Sequence, residues 1–238
     1  MKRFDRITTK DCCSLSYEMY HILIIVCSIL AFIPAIVFHE VMHGLAAYLL
    51  GDKTAASQGR LSLNPLKHID PFGTVILPLL LILMGGAIFG YAKPVPYSPR
   101  NFKNPRMGDL IVGLAGPFGN FVLALLGAFS FAAIGTFIEP SQLDFMLIFY
   151  GVYLPLLITT NLYLMFFNLL PIPPLDGSSI FALIVPKKYL PQYYRMQRYA
   201  LPVFLVVLFL VPYVCHVDII GIYLQVTAGK FASFLMSI

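Results

Sequence analysis

The sequence predicts an all-α polytopic membrane protein with about five to six membrane helices or segments. Hydrophobic residues make up 59% of the 238 residues and charged residues only 11%, and the mean hydropathy is +0.83. A typical soluble domain carries about 25% charged residues. The apolar residues form runs that approach or exceed the ~20 residues a membrane helix needs. The net charge of +5 suits an anionic lipid surface. Because no concentrated basic stripe exists, nucleic acid is not an expected partner.

The apolar runs divide the chain into three parts. These are a polar N-terminal tail over 1–19, a core over 20–186, and a basic loop with a C-terminal membrane hairpin over 187–238. The first run predicts one long helix over 20–50, which Pro34 can kink. Pro78 and the Gly85-Gly86 pair suit a straight helix poorly, so the segment 72–91 can re-enter the membrane instead of crossing it. The remaining runs cover 109–138, 143–170, 199–214 and 219–237.

The first run contains His39-Glu40-Val41-Met42-His43. Side chains four residues apart share one face of a helix, so His39 and His43 can bind one zinc ion. Glu40 follows the first histidine, where a carboxylate can accept a proton from a water molecule that the metal activates. Ionisable groups in apolar membrane segments are rare and mark functional sites. The alternative interpretation is a pair of core histidines bonded to neighbouring helices.

A second polar feature ends the fourth run, in the segment Asn168-Leu169-Leu170-Pro171-Ile172-Pro173-Pro174-Leu175-Asp176-Gly177. Three prolines within four positions stop the helix and leave carbonyl groups unpaired. At membrane depth such backbone needs cover from protein or a water-filled cavity. We therefore expect an unwound loop over 171–177 that turns Asp176 inward as a third ligand. Three protein ligands leave a position for water, as in catalytic zinc sites. A Pro-Asp-Gly surface turn is the alternative.

Residues 51–71, between the first two runs, are polar and rich in turn formers. The alternation over 60–64 allows a short strand. His68 and Asp70 could form a second polar site, although such a pair more often belongs to a hydrogen-bonded loop.

The two motifs together resemble the site-2 protease family of intramembrane zinc metalloproteases. His39-Glu40-x-x-His43 and Asn168-x-x-Pro171-x-Pro173-x-Leu175-Asp176-Gly177 match both family signatures at every fixed position. A small-residue segment like Gly116-Pro117-Phe118-Gly119-Asn120 also lies between the signatures in family members. The stretches 63–71 and 92–96 are similar to a compact prokaryotic branch without a PDZ domain. The resemblance covers about residues 20–180.

This resemblance implies regulated intramembrane proteolysis, with one zinc ion per chain held by His39, His43 and Asp176. Glu40 would be the catalytic base, and Asn168 inherits a weaker role in binding substrate. The implied partners are a transmembrane protein substrate and the lipid bilayer, and a polar cavity must admit water. A membrane metal or ion transporter and a non-catalytic scaffold are the alternatives. A transporter would not require a carboxylate beside the first ligand, as Glu40 is, and a scaffold would not require every catalytic residue to be present. Substrate identity and oligomeric state do not follow from the sequence.

The ligands also constrain the topology. For His39, His43 and Asp176 to meet, the first and fourth runs must be parallel, which requires that 72–91 does not cross. Eleven of the sixteen Lys and Arg residues then lie in loops on the ligand side. The active site of this multi-pass protein is therefore expected to face the cytoplasm of a prokaryotic cell. A topology in which every run spans places one more basic residue inside but separates the ligands.

Overall fold

The computed structural model describes residues 17–76, 91–136, 148–197 and 199–237, and within these ranges its regular elements are all helices. The α-helices are α1 (Tyr17–Leu49), α2 (Thr54–Ser57), α3 (Pro105–Gly135), α4 (Leu154–Asn168), α5 (Ser179–Ile184), α6 (Leu190–Gln197), α7 (Ala200–Cys215), α8 (Ile219–Leu224) and α9 (Lys230–Leu235). Short 3-10 turns form at Pro65–Lys67, Pro99–Asn101, Asp176–Ser178 and Lys187–Tyr189. Single π-helical turns form at Pro71–Ile76, Phe149–Tyr153 and Gln225–Gly229.

Three of the described helices are long and apolar enough to cross a membrane, namely Met19–Leu49, Pro105–Gly135 and Phe149–Asn168. A fourth span results if α6 and α7, which meet at a bend of 57°, count as one. The apolar helix over Ile219–Leu235 is shorter. The predicted all-helical membrane class agrees with this architecture. The described ranges contain three or four spans and not five to six, and residues 77–90 of one predicted segment lie outside them.

Helix α1 matches the helix predicted over 20–50 and contains Pro34. It ends before Gly51, whose φ of 102° is a conformation that favours glycine just beyond a helix C-terminus. In its N-terminal half, large apolar side chains such as Ile22 and Ile25 are more than half exposed. An exposed apolar surface of this kind suits contact with lipid.

Helix α3 lies between α1 and α4 and runs antiparallel to both. On one side, Val112 contacts His43 and Asn120 contacts Ala35, so the two sequences run in opposite directions. On the other side, Asn120 meets Asn161 in the middle of α4, and the ring of Phe131 stacks on Tyr150, just before α4 begins. Helices α1 and α4 are therefore parallel, as a meeting of the three ligands requires.

The main apolar core joins α3 and α4 to the C-terminal helix. Gly127 lets α4 approach closely, because a Cβ there would lie 3.0 Å from the side chain of Ile158. The buried members of this core are Ala124, Ala128, Phe131, Leu154, Ile158, Leu162, Met165, Ala228, Ala232 and Leu235. Packing of this kind fixes α3 against α4, and so holds the polar residues that the two helices share.

The loop after α2 corrects one prediction, since residues 60–64 form no strand. Alternating apolar and polar residues form a strand only when another strand lies beside them. Here the carbonyl oxygen of Ser62 instead accepts a hydrogen bond from Nε2 of buried His68. Asp70 accepts hydrogen bonds from the backbone N–H groups of Phe72 and Gly73. His68 and Asp70 therefore belong to a hydrogen-bonded loop, the more common of the two alternatives.

The two ends of the predicted re-entrant segment lie side by side. The N–H of Tyr91 donates to the carbonyl oxygen of Gly73 at 3.0 Å, and the hydroxyl of Thr74 donates to the carbonyl oxygen of Tyr91. Lys93 then bonds to the carbonyl of His68, on the side of the fold where α1 ends. The chain thus leaves at Ile76 and is back at Tyr91 on the same side, and the path over 77–90 lies outside the described residues.

Candidate metal centre and active site

The side chains of His39, His43 and Asp176 meet beside the C-terminal part of α1. Nε2 of His39 lies 3.0 Å from Nε2 of His43, because one turn of helix brings the two rings together. Oδ2 of Asp176 lies 3.1 Å from Nε2 of His39 and 3.4 Å from Nε2 of His43. The structure therefore brings together the three residues predicted as metal ligands.

The hydrogen bonds of both rings define which nitrogen carries the proton. Nδ1 of His39 donates to Oδ1 of Asn120 at 2.7 Å, and Nδ1 of His43 donates to the carbonyl oxygen of Val112 at 2.7 Å. The Asn120 amide is oriented by its own donors, which bond to the carbonyl of Ala35 and to Oδ1 of Asn161. In the neutral rings both Nε2 atoms are then unprotonated and point at each other.

This arrangement fits a zinc ion. Two imidazole lone pairs and a carboxylate oxygen face a common point, where three acceptors without a proton or cation would repel one another. In a tetrahedral zinc site with bonds of about 2.0–2.1 Å, neighbouring ligand atoms lie about 3.3 Å apart, close to the 3.0, 3.1 and 3.4 Å found here. The hydrogen-bonded Nδ1 atoms supply the outer contacts that metal-binding histidines ordinarily make.

Small residues of α3 make room for this centre. A Cβ on Gly116 would lie 2.6 Å from Cε1 of both His39 and His43, and one on Gly113 would lie 3.0 Å from the carbonyl oxygen of Asp176. These small residues bring the backbone of α3 close to the ligands of the site. This approach also carries Asn120 to His39.

The predicted unwound loop is confirmed, since no helix forms over 169–175. Tight turns connect Leu170 to Ile172 and Ile172 to Leu175, and the 3-10 turn Asp176–Ser178 follows. Gly177 lies against the backbone at the end of α4, where a Cβ would approach the carbonyl carbon of Leu169 to 2.6 Å. This folding back of the loop turns Asp176 toward α1.

Glu40 follows His39 in the sequence, and its carboxylate contacts the segment that precedes α3, which the motif does not reveal. Its Oε2 accepts a hydrogen bond of 2.9 Å from the backbone N–H of Val95. Asn168 is the last residue of α4, and its side-chain amide donates to the carbonyl of Leu164 in its own helix. A contact between Asn168 and substrate therefore stays a prediction.

A cavity of about 220 Å³ adjoins Asp176. Its walls include the buried side chains of Asp109, Ser178 and Ser179. Among the described residues the Ser179 hydroxyl has no hydrogen-bond partner, so it is available to a water molecule. The expected polar space beside the ligands is thus present.

Sequence comparison then gives the relationship of this chain to known proteins. The model of peptidase family M50 matches residues 27–147 and 146–211. The chain belongs to peptidase family M50. This is the site-2 protease family, as the two motifs indicated, and the protein is a zinc-dependent peptidase. The family is membrane-embedded, and this chain has apolar helices able to span a membrane. No solved structure matches the chain significantly.

Several relatives carry provisional names as zinc metalloproteases. The chain is 39% identical to YwhC of Bacillus subtilis over 77% of its own length and 80% of that protein. It is 32% identical to MJ0611 of Methanocaldococcus jannaschii, covering 69% of this chain and 74% of the relative. It is 35% identical to Rip2 of Mycolicibacterium smegmatis, covering 68% and 57%. Bacterial and archaeal members thus align with most of this M50 peptidase.

The sequence motifs include Asn120 but do not reveal how it and the other supporting groups hold the ligands. Asn120 and Asn161 are fully buried and link α3 to α4 and, through His39, to α1. Each of these asparagines is a polar residue inside an apolar run, which marks it as unusual in the sequence. The sequence does not show which polar groups it will meet in the fold. The N–H of Val95 and the carbonyl of Val112 are backbone groups, which sequence does not distinguish.

Proposed function

We propose that this M50 peptidase hydrolyses peptide bonds within or beside transmembrane segments of other membrane proteins. The position of the metal centre supports this proposal: His39 and His43 are buried on a helix long enough to cross a membrane, and Asp176 follows another such helix. A peptidase whose ligands belong to membrane helices meets substrates that are themselves membrane segments.

Metal binding, proton transfer and substrate binding are assigned to different residues. His39, His43 and Asp176 hold zinc, which when bound polarises the scissile carbonyl and lowers the pKa of water toward ~7. Glu40 accepts the proton of the attacking water and delivers it to the departing amine, so that the carboxylate is ionised again at the end of the cycle. Asn168 contacts the substrate backbone from the end of α4. Water reaches the site through the cavity beside Ser179.

We place the active site on the cytoplasmic side of the membrane. The loops that follow α1, precede α3 and follow α4 lie on the side of the ligands, and they carry most of the basic residues. Among the described residues these are Lys53, Arg60, Lys67, Lys93, Arg100 and Lys103, together with Arg106 at the start of α3 and Lys187, Lys188 and Arg195 between α4 and α7.

The test compares wild type with Glu40→Gln and Asp176→Ala, purified in detergent. Zinc per chain and cleavage of a model transmembrane peptide are measured for each. We expect Glu40→Gln to keep zinc and lose cleavage, and Asp176→Ala to lose both. Asp218→Asn is the matched control, because this carboxylate caps α8 away from the ligands. Normal cleavage by Glu40→Gln would reject the proposal, and zinc flux into liposomes unaffected by Glu40→Gln would favour a transporter.

A further inference from the structure

An extended segment over 91–98, which we name the strap, crosses beside the end of α1 without regular secondary structure. It contains Pro94-Val95-Pro96. Proline has no N–H, so Val95 carries the single backbone donor of these three residues. A residue that precedes proline favours an extended conformation, which applies to both Lys93 and Val95. The local sequence thus presents one amide from a stiff segment, and that amide donates to Glu40.

The start of the strap is fixed by buried polar groups. The guanidinium of Arg60, which is 8% exposed, donates to the carbonyls of Lys93 and Pro94 and also to the carbonyl of Lys67. The N–H of Lys93 donates to the carbonyl of His68 at 2.9 Å. These bonds connect the strap to the loop that follows α2.

The end of the strap is fixed in the same way. Oδ2 of the fully buried Asp52 accepts a hydrogen bond of 2.7 Å from the N–H of Ser98, and its Oδ1 accepts from the side chain of Asn101. The hydroxyl of Tyr97 donates to Asp109 of α3 at 2.9 Å. The isopropyl group of Val95 is itself buried against α1, within 3.0 Å of the Cβ position of Gly44.

We propose that the backbone amide of Val95 is a positioning group for the catalytic carboxylate of Glu40. This proposal rests on the proposed function, in which Glu40 is the base. The amide holds Oε2 and so leaves Oε1 to exchange the proton with water. Because the strap is anchored on both sides of Val95, the carboxylate keeps one orientation before substrate arrives, and misplacement of a reacting group by about 1 Å can cost ~100-fold in rate.

The experiment removes the amide proton and leaves the rest of the site intact. Val95→Pro deletes the donor, whereas Val95→Ala is the matched control that shortens the side chain and keeps the donor. A second variant replaces Val95 by its α-hydroxy acid, which exchanges the N–H for an ester oxygen and retains the isopropyl group. For the purified full-length proteins we would measure zinc content, and kcat and KM on a model transmembrane peptide.

We expect the ester variant and Val95→Pro to retain wild-type zinc content and KM while kcat falls by ~10- to 100-fold, the value of a hydrogen bond to a charged group. The fall in kcat should be larger in these two variants than in Val95→Ala, which keeps the donor and loses only part of the side-chain packing on α1. An unchanged kcat in the ester variant would overturn the proposal, and so would loss of zinc from it, since the amide would then support the fold and not Glu40. If Glu40→Gln is inactive while the ester variant keeps full activity, only the positioning role of Val95 is rejected. If Glu40→Gln cleaves normally, the proposed function itself is rejected.

Discussion

Oδ1 of Asn120 accepts a hydrogen bond of 2.7 Å from Nδ1 of His39, so a residue of α3 orients a proposed metal ligand of α1. Asn120 is in turn held by Asn161 of α4 at 2.9 Å. The three long helices are therefore joined through polar side chains directly beside the metal centre. Any change in their packing is expected to alter the metal affinity.

Replacing Asn120 by Leu should weaken zinc binding by ~10- to 100-fold, the usual effect of losing an outer partner of a metal-bound histidine. The substitution removes the acceptor that fixes the His39 tautomer, and it also removes the donors to the carbonyl of Ala35 and to Oδ1 of Asn161. Zinc affinity is measured by competition with a chromogenic chelator. Ser130→Ala is the control on the same helix, because among the described residues the Ser130 hydroxyl bonds to the carbonyl of Leu126 within α3. Wild-type affinity in Asn120→Leu would show that this hydrogen bond is dispensable.

Gly116→Ala should greatly reduce the zinc content, because its Cβ would lie 2.6 Å from Cε1 of both histidine rings and displace them. Gly151→Ala is the matched control, since in the part of the chain that the structure describes a Cβ there meets no atom within 4 Å beyond its own helix. Zinc per chain after gel filtration separates the two variants. If Gly116→Ala retained full zinc, α3 would have to be further from α1 than the structure places it.

The ligands could be predicted because their geometry is short-range or carried by a motif. Helical periodicity alone brings His39 and His43 together, and the prolines around Pro173 require an unwound chain. The supporting groups could not be predicted, because Asn120 and Val95 reach the site only through the packing of distant segments. The short strand that alternation allowed over 60–64 does not form, because no partner strand packs there and Arg60 instead anchors the strap.

Asp52 should make stability depend on pH. Burial raises the pKa of this carboxyl, but hydrogen bonds from Thr54, Ser98 and Asn101 outweigh that effect and lower the pKa below its usual value. A carboxyl with a lowered folded-state pKa contributes its full stabilisation above the unfolded pKa of about 3.9, and the contribution is lost as pH falls through the lower folded value. Asp52→Asn should therefore melt below wild type at pH 7, with a gap that narrows below about pH 4.

Melting temperatures from pH 3 to 7 for both proteins measure this gap. Asp70→Asn serves as the control, because Asp70 is partly exposed and its hydrogen bonds lie within one turn. A gap that stayed constant down to pH 3 would show that the charge of Asp52 adds nothing to stability.

The proposed orientation places the N-terminus outside the cell, since α1 begins on the side opposite the ligands. A cysteine-reactive, membrane-impermeant label should then reach a single cysteine at position 2 in intact cells, in a background without native cysteines. A cysteine at position 103, which precedes α3 on the ligand side, should react only after the membrane is opened. If position 103 were labelled in intact cells and position 2 only after the membrane is opened, the active site would face the outside of the cell.

Substrate preference should follow helix stability. A transmembrane helix ties up its carbonyl groups in hydrogen bonds, so the scissile bond must leave the helix before Glu40 can act on water beside it. Glycine disfavours the helix by ~1 kcal/mol relative to alanine, which converts to roughly a fivefold gain in the unwound population per residue. We expect a peptide with two central glycines to be cleaved up to about 25-fold faster than a polyleucine peptide of the same length, compared by kcat/KM in one detergent. Equal rates would mean that local unwinding of the substrate does not limit the reaction.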